Sequence, residues 1–236
     1  MADLSELKKN LGTAAVDRFV QDGMRLGLGT GSTAIWAARR VAQRLAEGSL
    51  RGIMAVTTSL QTELEARALG ITVATLNNTS LSGELDLTID GADEVDGDFN
   101  LIKGGGGALL MEKVVAYASR RLIIIVDHTK LSERLGEHSP VPVEIVVDAL
   151  ETVKKGLGDL GGNVSLRMAQ RKAGPVITDL GNLLLDVTFP NAFDPVEREK
   201  EINLLPGVLE NGLFTRKTPE LLIGTPGGGL EHRRKP

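Results

Sequence analysis

The strongest constraint on the fold is an unbroken aliphatic run, LIIIVD, at residues 122–127. A strand built from such residues has no polar face to present to water, so both of its faces must be covered. Parallel sheets with helices on each side provide that cover. Strand patterns, such as ITVAT at 71–75 and LDLTID at 85–90, alternate with helix patterns, such as residues 34–46, along the first half of the chain, which is typical of βαβ units. We therefore predict an α/β fold with a doubly wound, mostly parallel sheet.

The pattern changes after about residue 136. Three strand-like pieces, NVSLRMA, PVITDL and NLLLDVTF, follow one another and are joined by turn residues. Such pieces favour an antiparallel sheet, so we predict a smaller α+β domain over residues 136–208. It would be inserted into a larger domain made of residues 1–135 and 209–236. We expect ELLIG, at 220–224, to return to the main sheet and the tail GGGLEHRRKP to be a frayed terminus.

Composition excludes several classes of protein. The formal net charge is −4 and aromatic residues make up 3% of the chain, which argues against nucleic-acid and anionic-membrane partners. There is no cysteine, and the three histidines are not spaced as metal ligands. No apolar run reaches the length of about 18 residues that a membrane helix needs. We expect a cytoplasmic enzyme that needs no metal.

The first motif with chemical content is GLGTGSTA, from Gly27 to Ala34, between a strand and a helix. Its glycines let the backbone approach a ligand, and the helix N-terminus offers N–H groups to an anion. A dinucleotide is disfavoured because no acidic residue follows the second strand, and a P-loop is excluded because its lysine is missing. A small phosphate ester is the favoured ligand, and a tight turn capped by Ser32 is the structural alternative.

The second motif is IDGADEVDGDFN, at residues 89–100, which ends a strand where ligands bind in open α/β sheets. An EF-hand register counted from Asp96 lacks the glycine at position six and the glutamate at position twelve, which excludes a calcium loop of that kind. Asp90 and Asp93 lie nearest the strand end. They are candidates for proton transfer, with turn capping as the alternative.

The third motif is LIKGGGGALLMEK, at residues 101–113, in which Lys103 precedes four glycines and a helix that carries Glu112. A carboxylate can remove a proton beside a carbonyl group, while an ammonium group and loop amides stabilise the resulting oxyanion. Taken alone, Glu112 could be a solvated helix residue. Lys130, in VDHTK after another strand, is either a further site lysine or a surface lysine.

Taken together, these motifs resemble the type A family of ribose-5-phosphate isomerases, and the resemblance covers nearly the whole chain. The motifs in order are GLGTGST, TTS, DGADE, KGGGGALLMEK, VDHTK, GNLLLDVTFPN, LPGVLENGLF and ELLIG. The resemblance implies that D-ribose 5-phosphate and D-ribulose 5-phosphate are interconverted through a cis-enediolate, in the pentose phosphate pathway. It also implies a Rossmann-like main domain, no metal or organic cofactor, and homodimers or homotetramers.

The resemblance also assigns roles to residues. Glu112 matches the base, Lys103 the lysine that stabilises the enediolate, and Asp90 and Asp93 the acids of ring opening and hydroxyl proton transfer. The implied substrate-binding residues are Lys8, Thr30, Gly31, Ser32, Thr33, Asp90, Gly91, Ala92, Asp93, Lys103, Gly104, Gly105, Gly106 and Lys130. Leu180 departs from the family pattern, which has asparagine there, and this puts the local turn in doubt.

Two other functions stay open at the level of sequence. A non-catalytic sugar-phosphate sensor would keep the phosphate loop but would not need both Lys103 and Glu112. An acyl or CoA transferase on a related scaffold would use a glutamate as nucleophile. Turnover of a pentose phosphate by the purified protein, without acyl-CoA, would distinguish the isomerase from both.

Overall fold

A computed structural model describes residues 3–235. The strands, numbered along the chain, are β1 (Arg25–Leu28), β2 (Met54–Thr57), β3 (Leu85–Asp90), β4 (Glu94–Val95), β5 (Leu101–Ile102), β6 (Ser119–Asp127), β7 (Val141–Ile145), β8 (Asn163–Leu166), β9 (Leu183–Thr188), β10 (Val208–Asn211), β11 (Leu213–Phe214), β12 (Glu220–Gly224) and β13 (Leu230–Arg233). The helices are α1 (Leu4–Phe19), α2 (Ala34–Ala46), α3 (Leu60–Ala68), α4 (Leu109–Ala118), α5 (Leu150–Asp159) and α6 (Pro195–Asn203). None of the helices in residues 3–235 has both the length and the apolar character that a membrane crossing requires.

The chain separates into two compact units. The first contains the chain up to Gly91, Met111–Thr129 and the chain from Lys217 onward, and the second contains Ala92–Leu110 and Lys130–Arg216. These boundaries differ from those expected from the sequence, because residues 92–110 belong to the second unit. The reason is strand pairing: β5 lies between β4 and β11, and both pairs are antiparallel.

The sheet of the first unit has the order β13-β12-β6-β3-β1-β2. All neighbouring strands in it are parallel except β12 and β13. The aliphatic run lies in β6, between β3 and β12, and each residue from Leu122 to Val126 is at most 2% exposed. α1 and α2 contribute apolar residues to the core beside this sheet. The predicted mostly parallel sheet is confirmed.

The parallel strands end at one edge of this sheet, and that edge positions several of the predicted residues. Leu28 at the end of β1 is in register with Thr57 of β2 and with Ile89 of β3, and Asp90 is in register with Ile124 of β6. The loops that follow β1, β2 and β3 therefore emerge side by side. Ligands bind at this edge in open α/β sheets.

The second unit contains an antiparallel sheet of order β10-β7-β9-β8 and a smaller sheet of order β11-β5-β4. Alternate residues of β7 and β9 pack with α5 and α6 in its apolar core. The predicted antiparallel sheet is therefore present. α6 begins at a Pro after the capping residue Asp194, whose carboxylate accepts hydrogen bonds from two backbone N–H groups of the first turn.

Two strand predictions are wrong. ITVAT, at 71–75, is joined to β2 only by an isolated bridge between Ala55 and Val73. PVITDL likewise makes only isolated bridges, because the chain turns back immediately: Thr178 N–H donates to the carbonyl of Asn182. Ile177 is 46% exposed, so the apolar residue that suggested a strand face is not in the core.

The prediction of a frayed C-terminus is also wrong, because β13 pairs with β12. The Glu220 carboxylate, on β12, connects three basic side chains. Arg121 Nε donates to it over 2.9 Å, Arg234 Nε lies 3.2 Å away, and His232 Nε2 lies 3.0 Å away. Two of these bases come from the tail, so its basic residues stabilise the hairpin through this carboxylate.

This cluster predicts an acid-sensitive contribution to stability. Burial would raise the pKa of Glu220, but the Arg121 hydrogen bond and the charges of Arg121 and Arg234, with His232, lower it below its ordinary value. The contribution is therefore present above the unfolded pKa of about 4.3 and is lost as the pH falls through the lower folded pKa. We expect Glu220→Gln to lower the free energy of unfolding by about 1 kcal/mol at pH 7, and by less in acid, in urea titrations.

The matched control is Glu231→Gln on the same hairpin. Glu231 is paired with Arg233, but its side chain is 46% exposed, so we expect little change in the free energy of unfolding. Equal losses of the free energy of unfolding in the two variants at pH 7 would show that the Glu220 cluster has no special role in holding the tail.

Candidate active site

The loop between β1 and α2 meets a lysine from α1. Lys8 Nζ donates to Ser32 Oγ over 3.0 Å, across 24 positions of sequence. Thr33, not Ser32, is the N-cap of α2, and its side chain forms no capping bond within the described chain, so the turn capped by Ser32 is not the arrangement found. A cation, two hydroxyls and a helix N-terminus lie together here, and this combination favours an anion such as phosphate.

Behind this loop lies a cluster of four hydroxyls. Thr30 Oγ1 lies 2.7 Å from Thr58 Oγ1, 2.7 Å from Ser59 Oγ and 3.3 Å from Thr62 Oγ1. Thr62 Oγ1 in turn donates to the Gly29 carbonyl over 3.1 Å. In the sequence, TTS at residues 57–59 served only as a family motif, and no role was predicted for Thr58, Ser59 or Thr62. The signal that could have found them is the parallel register, which brings the ends of β1 and β2 together.

Asp90 ends β3 beside the same loop and is completely buried. Its Oδ1 accepts from Thr30 N over 3.2 Å and from Gly91 N over 2.7 Å. A Cβ at position 29 would lie 2.0 Å from that oxygen, so only glycine permits this approach. The structure thus brings Asp90, Thr30 and Gly91 of the predicted residues together, with the carboxylate held by backbone donors.

In the second unit, Asp93 is joined to the glycine loop. Its Oδ2 accepts from Gly105 N over 2.7 Å, and its own N–H donates to the carbonyl of Ile102 over 2.8 Å. A Cβ at position 105 would lie 2.7 Å from Asp93 Oδ1, so a side chain there would displace this carboxylate. The carboxylate and the loop are therefore held in one arrangement.

Lys103 lies at the start of the same glycine loop and is 2% exposed. Its backbone N–H donates to the Gly212 carbonyl over 2.9 Å, and its ammonium lies 5.6 Å from the ring centroid of Phe214. Cation–π contact of this kind stabilises a charged lysine that is removed from water. A buried ammonium at a fixed place can stabilise a developing negative charge.

Glu112 lies in the first turn of α4 and is 5% exposed. This burial contradicts the solvated-helix alternative. A carboxylate in the first turn of a helix is also stabilised by the helix dipole. Charged groups are rarely buried unless they are paired or have a specific role, so Glu112 stays a candidate for the predicted role.

The other predicted residues are less enclosed. Lys130 is half-buried at the end of a short helical turn after β6, where Asp127 accepts hydrogen bonds from the backbone and side chain of Thr129. Ala92 is half-buried and Gly106 is exposed. Within residues 3–235, no group of three or more His, Asp or Glu side chains is arranged to hold a metal ion.

Glu94 is a buried carboxylate that the sequence analysis did not single out. Its two oxygens accept from the backbone N–H groups of residues 137, 138 and 139, over 3.0, 3.4 and 3.0 Å. The Ser139 hydroxyl also donates to the carbonyl of Asp93 over 3.4 Å. Glu94 therefore anchors the loop beside the backbone of Asp93.

Comparison with known proteins identifies the family. The sequence model of ribose 5-phosphate isomerase A (phosphoriboisomerase A) matches residues 54–228. The chain belongs to the ribose 5-phosphate isomerase A family. The ribose-5-phosphate isomerase A of Prochlorococcus marinus is 49% identical over 221 residues, which cover 93% of this chain and 92% of that protein. That of Treponema denticola is 44% identical over 236 residues, covering 97% and 99%.

Solved structures of the ribose 5-phosphate isomerase family have the same fold. The enzyme from Methanocaldococcus jannaschii superposes with a TM-score of 0.92 at 40% identity, covering 99% of this chain and 100% of that one. A D-ribose-5-phosphate isomerase in complex with phospho-erythronic acid gives a TM-score of 0.94 at 38% identity, with the same coverage. The predicted family, the Rossmann-like α/β fold and the assignment as an isomerase are confirmed.

Proposed function

We propose that the chain interconverts D-ribose 5-phosphate and D-ribulose 5-phosphate through a cis-enediolate, without a metal or organic cofactor. The observation that carries the proposal is the burial of Lys103 and Glu112, a potential oxyanion stabiliser and a potential base, in the motif from which a proton transfer was predicted. Membership of the family supports the same reaction. A relative at 38% identity was solved with phospho-erythronic acid, a phosphorylated sugar acid.

The phosphate end of the substrate is assigned to the loop after β1. Lys8 supplies a positive charge, Ser32 and Thr33 supply hydroxyls, and the N-terminus of α2 supplies backbone donors. Thr30 and Gly31 complete this loop. Binding of the unreactive phosphate orients the carbons at the other end of the sugar.

The two aspartates are assigned to proton transfers at oxygen. Asp90 assists opening of the sugar ring, which must precede removal of the C2 proton. Asp93 shuttles the hydroxyl proton between O2 and O1. Each carboxylate is oriented by backbone N–H donors, Asp90 by two and Asp93 by Gly105, so neither has to reorganise during the reaction.

Glu112 is assigned to the carbon-bound proton. It removes the proton from C2 of the open aldose and returns it to C1 of the enediolate, so no proton is lost overall. Lys103 stabilises the negative charge on the enediolate oxygens while that intermediate exists. Gly91, Ala92, Gly104, Gly106 and Lys130 are assigned to binding of the substrate.

The proposal is tested by turnover of ribose 5-phosphate by purified protein before and after dialysis against EDTA. We expect equal rates, because no step uses a metal. Loss of activity that one divalent cation restores would contradict the metal-free mechanism. Binding of the sugar phosphate without turnover would indicate a sensor, and turnover only with acyl-CoA would indicate a transferase.

Replacement of the base gives a sharper test. Glu112→Gln keeps the size of the side chain but removes the group that accepts the C2 proton. General base catalysis contributes about 10²–10⁴-fold, so we expect kcat to fall by at least 10²-fold while KM changes little. Exchange of the C2 proton in D₂O should fall in parallel, because it reports the same step.

Glu144→Gln is the matched control for this variant. Glu144 is also buried, and it accepts hydrogen bonds from Thr178 and Asn182 in a part of the second unit without assigned residues. We expect its stability to change and its kcat to stay close to the wild-type value. Wild-type exchange at C2 in Glu112→Gln would show that another residue, Asp90 or Asp93, is the base.

The phosphate assignment is tested with two adjacent lysines. Lys8 reaches Ser32, whereas Lys9 is 51% exposed and lies 3.9 Å from Glu6. We expect Lys8→Ala to raise KM about 10-fold, since a hydrogen bond to a charged group contributes about 1.5–3 kcal/mol. Lys9→Ala should leave KM unchanged in the same steady-state assay, and equal effects of the two variants would place the phosphate elsewhere.

We further propose that the protein acts in the cytoplasm as a homodimer or homotetramer, as the sequence and the family resemblance imply. A single chain has a mass of 25.1 kDa. Light scattering on the purified protein should therefore give twice or four times this mass. A mass equal to one chain would contradict the proposed assembly.

A further inference from the structure

We infer that Arg167 is a positioning residue that holds the glycine loop, residues 104–107, in its working conformation. Arg167 lies just after β8, and the sequence analysis gave it no role. It is 62 positions from Gly105, yet its guanidinium contacts the loop directly. The inference deepens the proposed isomerase function and rests on it.

The guanidinium bridges the loop and β9. Its Nη1 donates to the carbonyls of Gly104 and Gly105, over 3.0 and 3.2 Å. On its other edge, Nε donates to Asp186 Oδ2 over 2.8 Å and Nη2 donates to Asp186 Oδ1. The side chain is 16% exposed. A planar fork with five donors can make all these bonds at once, whereas an ammonium cannot.

The backbone around Arg167 fixes its position. Arg167 N–H donates to the Leu184 carbonyl, and the Arg167 carbonyl accepts from Val176 N, both over 2.9 Å. Asp186 lies within β9, between β7 and β8 in the antiparallel sheet. The guanidinium therefore extends from a regular element toward a loop that has little regular structure of its own.

The loop is held from both sides as a result. Gly107 N–H donates to the Gly104 carbonyl over 2.9 Å, so this carbonyl accepts from both the turn and Arg167. Gly105 donates its N–H to Asp93 and receives Arg167 at its carbonyl. A continuous chain of hydrogen bonds thus runs from Asp186 through Arg167 and Gly105 to Asp93.

This chain connects Arg167 with two residues of the proposed mechanism. Asp93 depends on Gly105 N–H for the orientation of its carboxylate, and Lys103 directly precedes Gly104. The Gly104 carbonyl and the Gly105 N–H belong to the same peptide group. Hydrogen bonds from a cation to this carbonyl polarise the group and strengthen its N–H as a donor. Because Asp186 balances the charge of Arg167, the pair contributes mainly by fixing the geometry of the glycine loop.

Arg198 provides a matched control. It lies in α6 of the same unit, and its side chain is 17% exposed. Like Arg167, it donates to a backbone carbonyl, that of Leu160, and forms an ion pair, with Glu201 at 3.3 Å. Neither its hydrogen bond to Leu160 nor its ion pair with Glu201 involves the glycine loop or a residue of the proposed mechanism.

The experiment compares Arg167→Met, Arg167→Lys and Arg198→Met for kcat, for KM and for the free energy of unfolding. A misplacement of about 1 Å can cost about 10²-fold in rate, so we expect Arg167→Met to lower kcat by 10-fold to 10²-fold, with KM within about 3-fold. Arg167→Lys should recover part of kcat, because an ammonium can reach one carbonyl. Arg198→Met should lose comparable stability and keep kcat within about 2-fold of wild type.

Amide hydrogen exchange provides a readout that does not depend on activity. In Arg167→Met, we expect faster exchange in residues 103–107, whose Gly105 and Gly107 N–H groups are hydrogen-bonded within the loop system. Arg198→Met should leave this segment unchanged. If Arg167→Met fails to fold, Asp186→Asn is measured instead, because it removes the charge of Asp186 and weakens its bonds to the guanidinium, while Arg167 itself is kept.

The outcomes separate the inference from the proposed function. An inactive wild-type protein contradicts the proposed isomerase activity, whatever the exchange of the loop. Wild-type kcat in a folded Arg167→Met or Asp186→Asn variant overturns the inference about Arg167. So does an equal loss of kcat in Arg198→Met, because the effect would then be one of general stability. Unchanged exchange of residues 103–107 in the Arg167 variant overturns it as well.

Discussion

The loop between β1 and α2 depends on the missing side chain at Gly29. Because a Cβ there would lie 2.0 Å from Asp90 Oδ1, any other residue would displace either the end of β1 or the buried carboxylate. With glycine at position 29, the Thr30 N–H donates to the Asp90 carboxylate, and the Thr62 hydroxyl donates to the Gly29 carbonyl. These bonds hold the loop in one conformation, which is the preorganisation that the proposed binding of an anion requires.

Features determined by local pattern could be predicted from the sequence. The bounds of α2, Ala34–Ala46, agree with the predicted helix, because a glycine loop and periodic apolar residues define both its start and its buried face. The strand β6 was found because a parallel strand buried on both faces has a long aliphatic run. Lys103 and Glu112 could be singled out as candidates because their motif is compact, although Lys103 contacts Gly212 and Phe214, which are far from it in sequence.

Features that depend on pairing between distant segments could not be predicted. β4 and β5 are two residues long each, which is too short for any periodicity, and their place follows from pairing with each other and with β11. Arg167 resembles any arginine beside a strand until the fold brings it to Gly105. The opposite error occurred at ITVAT, where alternating apolar residues suggested a strand but only one bridge forms.

The motif DGADE shows why adjacent residues can have unrelated roles. Asp93 is joined to the glycine loop, whereas Glu94, the next residue, is fully buried and binds the N–H groups of residues 137–139. Successive side chains point to opposite faces where β4 begins, so the two carboxylates meet different partners. The proposed chemistry uses Asp93, whereas Glu94 holds the loop of residues 137–139. Both are acidic, but only Asp93 is assigned to proton transfer, and that distinction comes from the hydrogen-bond donors around each carboxylate.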